Sequence, residues 1–295
     1  MRKGEIMKLK IIKKGFNYSQ DGPGNRLVYH LQGCNMSCKW CANPESIFGN
    51  GVLMIDRAKL LESVCPYNAI QGKELNRKIC RNCQGRPCIH GNRNEGIRFS
   101  CFEMEIEEMM DEVNESSPLF FDNGGVTFSG GEPTCQFSAL KKILIRLNEE
   151  NISTAIETNG THKQLEELFP YIDTLILDFK HTDCDVHKKY TGISNEEIKI
   201  NIGKAMSKHP NVLIRTPLIN GVNAREEDIK EFIAFYKQFN CDNTRFEVLK
   251  YHEYGKEKWE QCGLVYEMHN GYIKEGFEEI FESEYRANGL SVVRT

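Results

Sequence analysis

The chain has 295 residues, enough for one large α/β domain or two ordinary ones, and its 40% of apolar residues can fill a real core. Its 38 basic and 42 acidic side chains give a net charge of −4, so no excess positive charge exists to attract a phosphate backbone. We therefore expect no nucleic acid partner. No apolar run approaches the roughly 20 residues that span a bilayer, and the N-terminus lacks the apolar core of a signal peptide, so we expect no membrane partner and a cytoplasmic location.

From about residue 105 onward, β-rich apolar runs alternate with amphipathic stretches, which predicts βα units around a parallel sheet. In chain order, the predicted strands are Arg26–Leu31, Val126–Ser129, Thr154–Glu157, Thr174–Phe179, Val212–Pro217 and Arg245–Lys250. The predicted helices between them include Leu140–Glu149, Lys163–Leu168, Glu196–Lys208 and Glu226–Phe239. Six strands with intervening helices favour an open, partial (β/α)6 barrel over a closed eightfold barrel.

A Cys-rich stretch from about Ile47 to Phe102 interrupts this pattern, and it is also rich in glycine, asparagine and arginine. It shows little periodicity, so we expect that it builds no apolar core alone and that metal or cluster ligands hold it together. The predicted organisation is a barrel formed by residues 1–46 and 105–295, with an insertion at 47–104.

Cysteine is the unusual component, with 12 residues in a chain for which we expect no export signal. Eight of them lie between Cys34 and Cys101. Reducing compartments keep thiols free, so clustered cysteines favour metal ligation over disulfides.

The first cysteine group is the C-x3-C-x2-C triplet of Cys34, Cys38 and Cys41. Its spacing also fits one face of a helix carrying small apolar residues, but the flanking Gly33 and Pro44 favour a loop at the carboxyl end of a strand. A structural zinc ion normally takes four ligands, and this triplet has no nearby fourth. Three thiolates on a four-iron cluster would leave one iron open to bind a substrate.

The run DGPGNRLVYHLQGCNMSCKWCANPES resembles the opening of the radical S-adenosylmethionine enzymes that activate glycyl radical enzymes, the group that contains pyruvate formate-lyase activating enzyme. Further matches follow in order as GGVTFSGGEPT (124–134), ETNG (157–160), LDFKH (177–181), RTPLINGVN (215–223) and EVLKYHEYGKEKW (247–259). The resemblance covers most of the chain outside the insertion and implies a partial barrel of the radical S-adenosylmethionine type.

The resemblance implies that Cys34, Cys38 and Cys41 hold a [4Fe–4S] cluster whose fourth iron binds S-adenosylmethionine. Reductive cleavage of the C5′–S bond would release methionine and a 5′-deoxyadenosyl radical. Lys180 is expected to pair with the carboxylate of S-adenosylmethionine and, with the three cysteines, forms the predicted catalytic set.

The resemblance also implies the remaining contacts to S-adenosylmethionine. Trp40, Cys41 and Ala42 are expected near the adenine, and Gly130, Gly131 and Glu132 near the methionine amino group, with Gly131 as the matched position. Asp178 and Phe179 accompany Lys180, and Arg215 and His252 complete the list. Each has a structural alternative, such as a core aromatic, an ordinary glycine turn or a buried structural histidine. Glu157 departs from the pyruvate formate-lyase activating enzyme pattern, in which aspartate precedes TNG.

Larger activating enzymes carry a ferredoxin-like insertion with two runs of four cysteines, whereas this insertion has five cysteines in all. By analogy with the Cys-Pro ligand of two-cluster ferredoxins, Cys65, Cys80, Cys83 and Cys88 are expected to hold one auxiliary [4Fe–4S] cluster. Cys101 is spare or replaces Cys65. A structural zinc ion on the same thiols is the alternative.

The expected function is activation of a glycyl radical enzyme, the protein partner, by removal of a hydrogen atom from one of its glycines. A flavodoxin or ferredoxin is the expected electron donor. The alternatives are another radical S-adenosylmethionine enzyme that modifies a small molecule or a peptide, and, more remotely, an iron–sulfur electron carrier.

Overall fold

The computed structural model describes residues 7–60, 65–80, 83, 85–91 and 96–295. Its β-strands, in chain order, are β1 Lys8–Tyr18, β2 Asn25–Leu31, β3 Leu53–Ile55, β4 Ile70–Gln71, β5 Glu74–Leu75, β6 Ile97–Phe99, β7 Phe102–Glu105, β8 Gly125–Gly130, β9 Thr154–Thr158, β10 Thr174–Asp178, β11 Val212–Leu218, β12 Thr244–Lys250 and β13 Ser291–Val292.

The α-helices are α1 Arg77–Cys80, α2 Pro87–Gly91, α3 Ile106–Ser116, α4 Phe137–Glu149, α5 Cys184–Thr191, α6 Glu196–Lys208, α7 Glu226–Tyr236, α8 Lys256–Cys262 and α9 Phe277–Ala287. Short 3-10 helices span Pro44–Ile47, Ser117–Leu119, Pro133–Gln136 and Leu165–Tyr171. The segment predicted as a helix over Lys163–Leu168 overlaps a 3-10 helix that begins at Leu165 and contains Pro170. In the described part of the chain, no helix is both long enough and apolar enough to cross a bilayer.

The main sheet has nine strands in the order β13-β12-β11-β10-β9-β8-β2-β1-β7. From β2 to β13 every neighbouring pair is parallel, with registers such as Asp178 opposite Arg215 and His30 opposite Ser129. All six predicted strands are present, and the predicted α/β class with an open parallel sheet is confirmed. Parallel strands place the loops after their carboxyl ends on one rim, where the cysteine loop also begins.

The N-terminal strand β1 was not predicted. It pairs antiparallel with β2 on one side and with β7 on the other. Its sequence, KLKIIKKGFNY, is dominated by lysine, but Leu9 and Ile11 alternate inward and are fully buried. Because β7 belongs to this sheet, its residues 102–104 extend the barrel sheet into the stretch predicted as insertion.

The insertion contains the antiparallel pair β3–β6, the two-residue strands β4 and β5, and helices α1 and α2. The expectation that it builds no apolar core is wrong. Its small core consists of Leu53, Ile55, Leu60, Ile70, Cys88 and Ile97, separate from the main core between sheet and helices.

Candidate active site

The predicted triplet lies on a loop that follows β2, as the flanking residues indicated, and not on a helix. Two backbone hydrogen bonds attach this loop to the end of α5: Ser37 N donates to Thr191 O at 2.8 Å, and Lys39 N donates to Tyr190 O at 3.1 Å. A turn in which Cys41 N donates to Cys38 O at 3.0 Å folds the loop back on itself. The backbone carrying the three thiols is therefore fixed at several points.

Cys38 is buried and only 8% exposed, whereas Cys34 and Cys41 are half-buried. Backbone amides reach two of them: Met36 N lies 3.4 Å from the Cys34 sulfur and Asn43 N lies 3.3 Å from the Cys41 sulfur. Burial raises the pKa of all three thiols, that of Cys41 to about 12. Bound metal reverses this effect, because a coordinating thiol loses its proton.

Helix α8 supports the same loop from the other side. Trp259 Nε1 donates to Cys41 O at 2.9 Å, and Lys258 Nζ contacts Asn43 Oδ1 at 2.7 Å and Glu45 Oε1 at 3.0 Å. A side chain at Gly255 would approach Cys41 O within 2.5 Å. The NPES and YGKEKW segments of the resemblance thus contact each other and hold the loop.

A glycine turn after β8 packs against the cysteine loop. Gly130 has φ +108°, which glycine adopts readily, and Gly131 is so close to Gly33 that a Cβ would lie 2.2 Å from Gly33 O. Gly131 N donates to Leu31 O at 2.9 Å and Glu132 N donates to Gly33 O at 2.7 Å. Glycine is therefore required here because two backbone segments approach each other.

These segments surround a cavity of about 340 Å³ at the carboxyl ends of the barrel strands. It brings together nine of the predicted residues: Cys34, Cys38, Trp40, Cys41, Ala42, Gly130, Gly131, Asp178 and Lys180. Four others, Glu132, Phe179, Arg215 and His252, do not line it.

Lys180 and Asp178 form an ion pair on the cavity wall, with 2.7 Å between Nζ and Oδ2. Lys180 is 7% exposed. Burial alone lowers the pKa of this ammonium, but the Asp178 carboxylate and the nearby sulfur of Cys38 raise it above its ordinary value. The cavity wall thus carries a cation that is available to pair with the carboxylate of a ligand.

The Glu132 carboxylate points away from the cavity and is fully buried. Its Oε1 accepts hydrogen bonds from Thr134 N at 2.9 Å and Thr158 Oγ1 at 2.7 Å, and its Oε2 accepts one from Asn159 N at 2.7 Å. Because protein donors occupy both oxygens, the described geometry gives Glu132 a positioning role between β8 and β9.

Phe179 also points into the core, where its ring packs on Phe232 and Phe235 at centroid distances of 5.4 and 5.0 Å. His252 lies outside the cavity and stacks on Tyr254 at 4.2 Å.

Arg215 is buried within the barrel and joins several strands. Its Nη1 donates to Glu157 Oε1 at 2.6 Å and its Nε donates to Glu247 Oε2 at 2.7 Å. Its Nη2 donates to Gln20 O in the loop before β2. Although burial opposes the charge, the two carboxylates raise the pKa of Arg215. Glu157 itself reaches the cavity wall and also accepts a hydrogen bond from Ser129 Oγ.

The cavity includes further residues that sequence reasoning did not assign to it, namely Asp21, His30, Met36, Asn43, Ser129, Glu157, Thr158, Asn159, Pro217 and Leu249. His30, Ser129 and Glu157 belong to β2, β8 and β9. Inward alternation in the predicted strands could have identified them, because every second residue of a barrel strand faces the interior.

The insertion has a second group of thiols. Cys65, Cys80, Cys83 and Cys88 line one small pocket together with apolar residues that include Leu53 and Ile70. Ala69 N lies 3.3 Å from the Cys65 sulfur. Cys101 does not line this pocket and lies beside Gly51, where a Cβ would be 2.8 Å from its sulfur.

The sequence pattern that defines the Radical SAM superfamily matches residues 28–233 of the chain, which include the cysteine loop, the glycine turn and the Lys180–Asp178 pair. The chain belongs to this superfamily. A 4-hydroxyphenylacetate decarboxylase activating enzyme from Clostridioides difficile (strain 630) is 31% identical over 290 residues, covering 92% of this chain and 91% of that protein. A (2S)-3-sulfopropanediol dehydratase activating enzyme from Klebsiella oxytoca is 31% identical over 268 residues, covering 85% and 84%.

At this identity and coverage, the chain is a member of the glycyl radical enzyme activating enzymes, which confirms the family predicted from the motifs. Among solved structures, Streptococcus suis SuiB bound to precursor peptide SuiA matches with a TM-score of 0.54 at 16% identity, covering 90% of this chain and 47% of that one. This likeness shows the fold alone.

The donor set of the activating enzyme fits the cofactors of its superfamily. Three thiols, two of which are reached by backbone N–H groups, stand beside a cavity that carries a cation, and a glycine turn leaves no side chain between them. Within the described residues, no three His, Cys, Asp or Glu side chains converge closely enough to hold a single metal ion. The fit therefore rests on the donor chemistry and the adjoining cavity.

Proposed function

We propose that the activating enzyme holds a [4Fe–4S] cluster on Cys34, Cys38 and Cys41 and binds S-adenosylmethionine in the adjoining cavity. When bound, this pair supplies a 5′-deoxyadenosyl radical by one-electron cleavage of the C5′–S bond, for removal of a hydrogen atom from a glycine of the partner enzyme. The observation that carries the proposal is the convergence of the three thiols, the glycine turn and the Lys180–Asp178 pair on one cavity.

The charge and shape of the cavity residues indicate which part of S-adenosylmethionine each one contacts. Lys180 is available to neutralise the carboxylate of S-adenosylmethionine, with Asp178 holding its ammonium in place. The Gly130–Gly131 backbone admits the methionine end without a side chain in the way. Trp40 and Ala42, beside the third thiol, are the candidates for adenine contacts.

The wall of the cavity is polar beyond the Lys180–Asp178 pair. Asp21 and Glu157 line it, and Arg215 holds Glu157 while bonding to Gln20, the residue before Asp21. We infer that this wall receives the glycine-bearing segment of the partner, whereas Arg215 acts from behind as a positioning residue. His252 lies outside the cavity, and its role toward the adenosine stays a prediction.

For the insertion we propose one auxiliary [4Fe–4S] cluster on Cys65, Cys80, Cys83 and Cys88. Their common pocket supports this ligand set, and the position of Cys101 outside the pocket supports Cys65 over Cys101 as the fourth ligand. We further propose a flavodoxin or ferredoxin as electron donor and an anaerobic cytoplasm as the setting, since thiols that ligate iron–sulfur clusters need a reducing compartment.

The test is anaerobic reconstitution with iron and sulfide, followed by assay of methionine and 5′-deoxyadenosine under dithionite. Wild type should cleave S-adenosylmethionine, and Cys38→Ala should not. Cys241→Ser is the matched control, because Cys241 lies just before β12, at the opposite end of that strand from the cavity, and should retain cleavage. Addition of a glycyl radical enzyme of the kind that the relatives activate should yield a glycyl radical signal by electron paramagnetic resonance. Full turnover by Cys38→Ala would overturn the proposal.

A further inference from the structure

Helix α8 contacts both thiol groups of the chain. On one side, Trp259 and Gly255 support the backbone of Cys41. On the other side, the carbonyl of Gln261 in its last turn accepts a hydrogen bond from Arg77 Nη2 at 2.9 Å. Arg77 is the first residue of α1, and α1 ends at Cys80. Only short stretches of backbone therefore separate α8 from a thiol in each group.

The Arg77 side chain links helices α1 and α8. Its Nη1 donates to Leu53 O of β3 at 2.8 Å, so one guanidinium connects α1, β3 and α8. Gly263 ends α8 with φ +73°, and a Cβ there would lie 2.3 Å from Arg77 Nε. A cation at the carboxyl end of a helix is stabilised by the unpaired carbonyls of the last turn. The half-buried position of Arg77 makes these contacts specific to its planar group.

Strand β3 contacts both the insertion core and helix α8. Leu53 and Ile55 belong to the insertion core, and Leu53 lines the pocket of four thiols. Val52 and Met54, which alternate with them, pack on Cys262 of α8. The insertion is thus held on α8, the helix that supports the cysteine loop, by the cluster of Val52, Met54 and Cys262 and by the hydrogen bonds of Arg77.

We propose that α8 and Arg77 fix the position of the insertion thiols relative to the barrel thiols, so that the two iron–sulfur sites act as one electron-transfer unit. This rests on the proposed function for the presence of both clusters. An external donor of the flavodoxin or ferredoxin class gives up one electron to the insertion site, and the same electron passes to the barrel site without any bond being formed or broken. Arg77 is a positioning residue in this arrangement.

The experiment uses the full chain, reconstituted and reduced with dithionite, with iron and sulfide content measured for each variant. Arg77→Ala removes the hydrogen bonds to Leu53 O and Gln261 O, and Arg77→Lys keeps a cation but not the planar group. Arg57→Ala is the matched control, because Arg57 also links α8 to the insertion, through Glu260 at 2.9 Å and Glu74 at 3.5 Å, but only by exposed ion pairs.

Magnetic coupling between the two reduced clusters is the main readout, and it needs neither S-adenosylmethionine nor a partner. We expect coupling in wild type and Arg57→Ala, loss or broad dispersion of it in Arg77→Ala at unchanged iron content, and partial recovery in Arg77→Lys. Cleavage driven by flavodoxin should fall in Arg77→Ala to the level of Cys80→Ala/Cys83→Ala, while cleavage driven by excess dithionite persists.

Wild-type coupling in Arg77→Ala would overturn the inference, as would loss of insertion iron in that variant, because Arg77 would then serve ligand binding and not spacing. A wild-type protein with a single cluster would overturn it as well. Failure of the proposed S-adenosylmethionine chemistry would look different, since wild type would show coupled clusters but no cleavage of S-adenosylmethionine.

Discussion

Replacement of Glu132 by alanine tests whether this residue positions the site or contacts the cofactor. The change removes the acceptors of Thr134 N and Asn159 N, two backbone donors that cannot turn away, whereas the Thr158 hydroxyl can rotate to another acceptor. A buried donor left without a partner costs about 1–3 kcal/mol, so the free energy of unfolding should fall by about 2–6 kcal/mol.

Glu132→Gln separates charge from hydrogen bonding. Its carbonyl oxygen can still accept from Thr134 N and Thr158 Oγ1, but its amide group would face Asn159 N–H, so we expect the loss of one bond, about 1–3 kcal/mol. Anaerobic chemical denaturation measures both variants, with Glu166→Ala as a control that should lose less than about 1 kcal/mol, because Glu166 is paired only with the surface lysines Lys204 and Lys208. Wild-type stability combined with weakened S-adenosylmethionine binding would refute the positioning role.

Other perturbations test separate parts of the site. Lys180→Ala should weaken S-adenosylmethionine binding by about 1–3 kcal/mol, the range for a charge-assisted hydrogen bond, and unchanged affinity in calorimetry would contradict the proposed pairing. Trp259→Phe removes the bond to Cys41 O and should lower the free energy of unfolding by about 0.5–1.5 kcal/mol, measured by denaturation. Burial lowers the pKa of His187 from 6.5 to about 4, so between these values the unfolded chain binds more protons. The free energy of unfolding should therefore decrease as the pH falls through this window, and His187→Gln should reduce that slope.

Local pattern was sufficient for the six parallel strands, because each is a short β-rich apolar run bounded by turn residues. It failed for β1, where four lysines among eleven residues hide the alternation of Leu9 and Ile11. Pairing with β2 and β7, not local composition, makes that segment a strand.

The same distinction between local pattern and distant partners applies to the residues of the candidate site. Residues on the cysteine loop, the glycine turn and the end of β10 reach the cavity, because strand ends of a parallel sheet share one rim. The direction of Glu132 depends on donors supplied by Asn159, 27 positions later, and that of Arg215 on carboxylates from β9 and β12. The position of a motif in the sequence does not reveal these partners. They follow from the register between strands, which is set only when the sheet has assembled.

The open sheet has two edge strands, and both of them are short. Strand β7 has four residues and β13 has two, so little unpaired backbone is offered to another chain at either side. A barrel that does not close normally exposes two edges prone to intermolecular pairing, which full closure would remove. Here the brevity of the two terminal strands limits the backbone available for such pairing at both edges of the sheet.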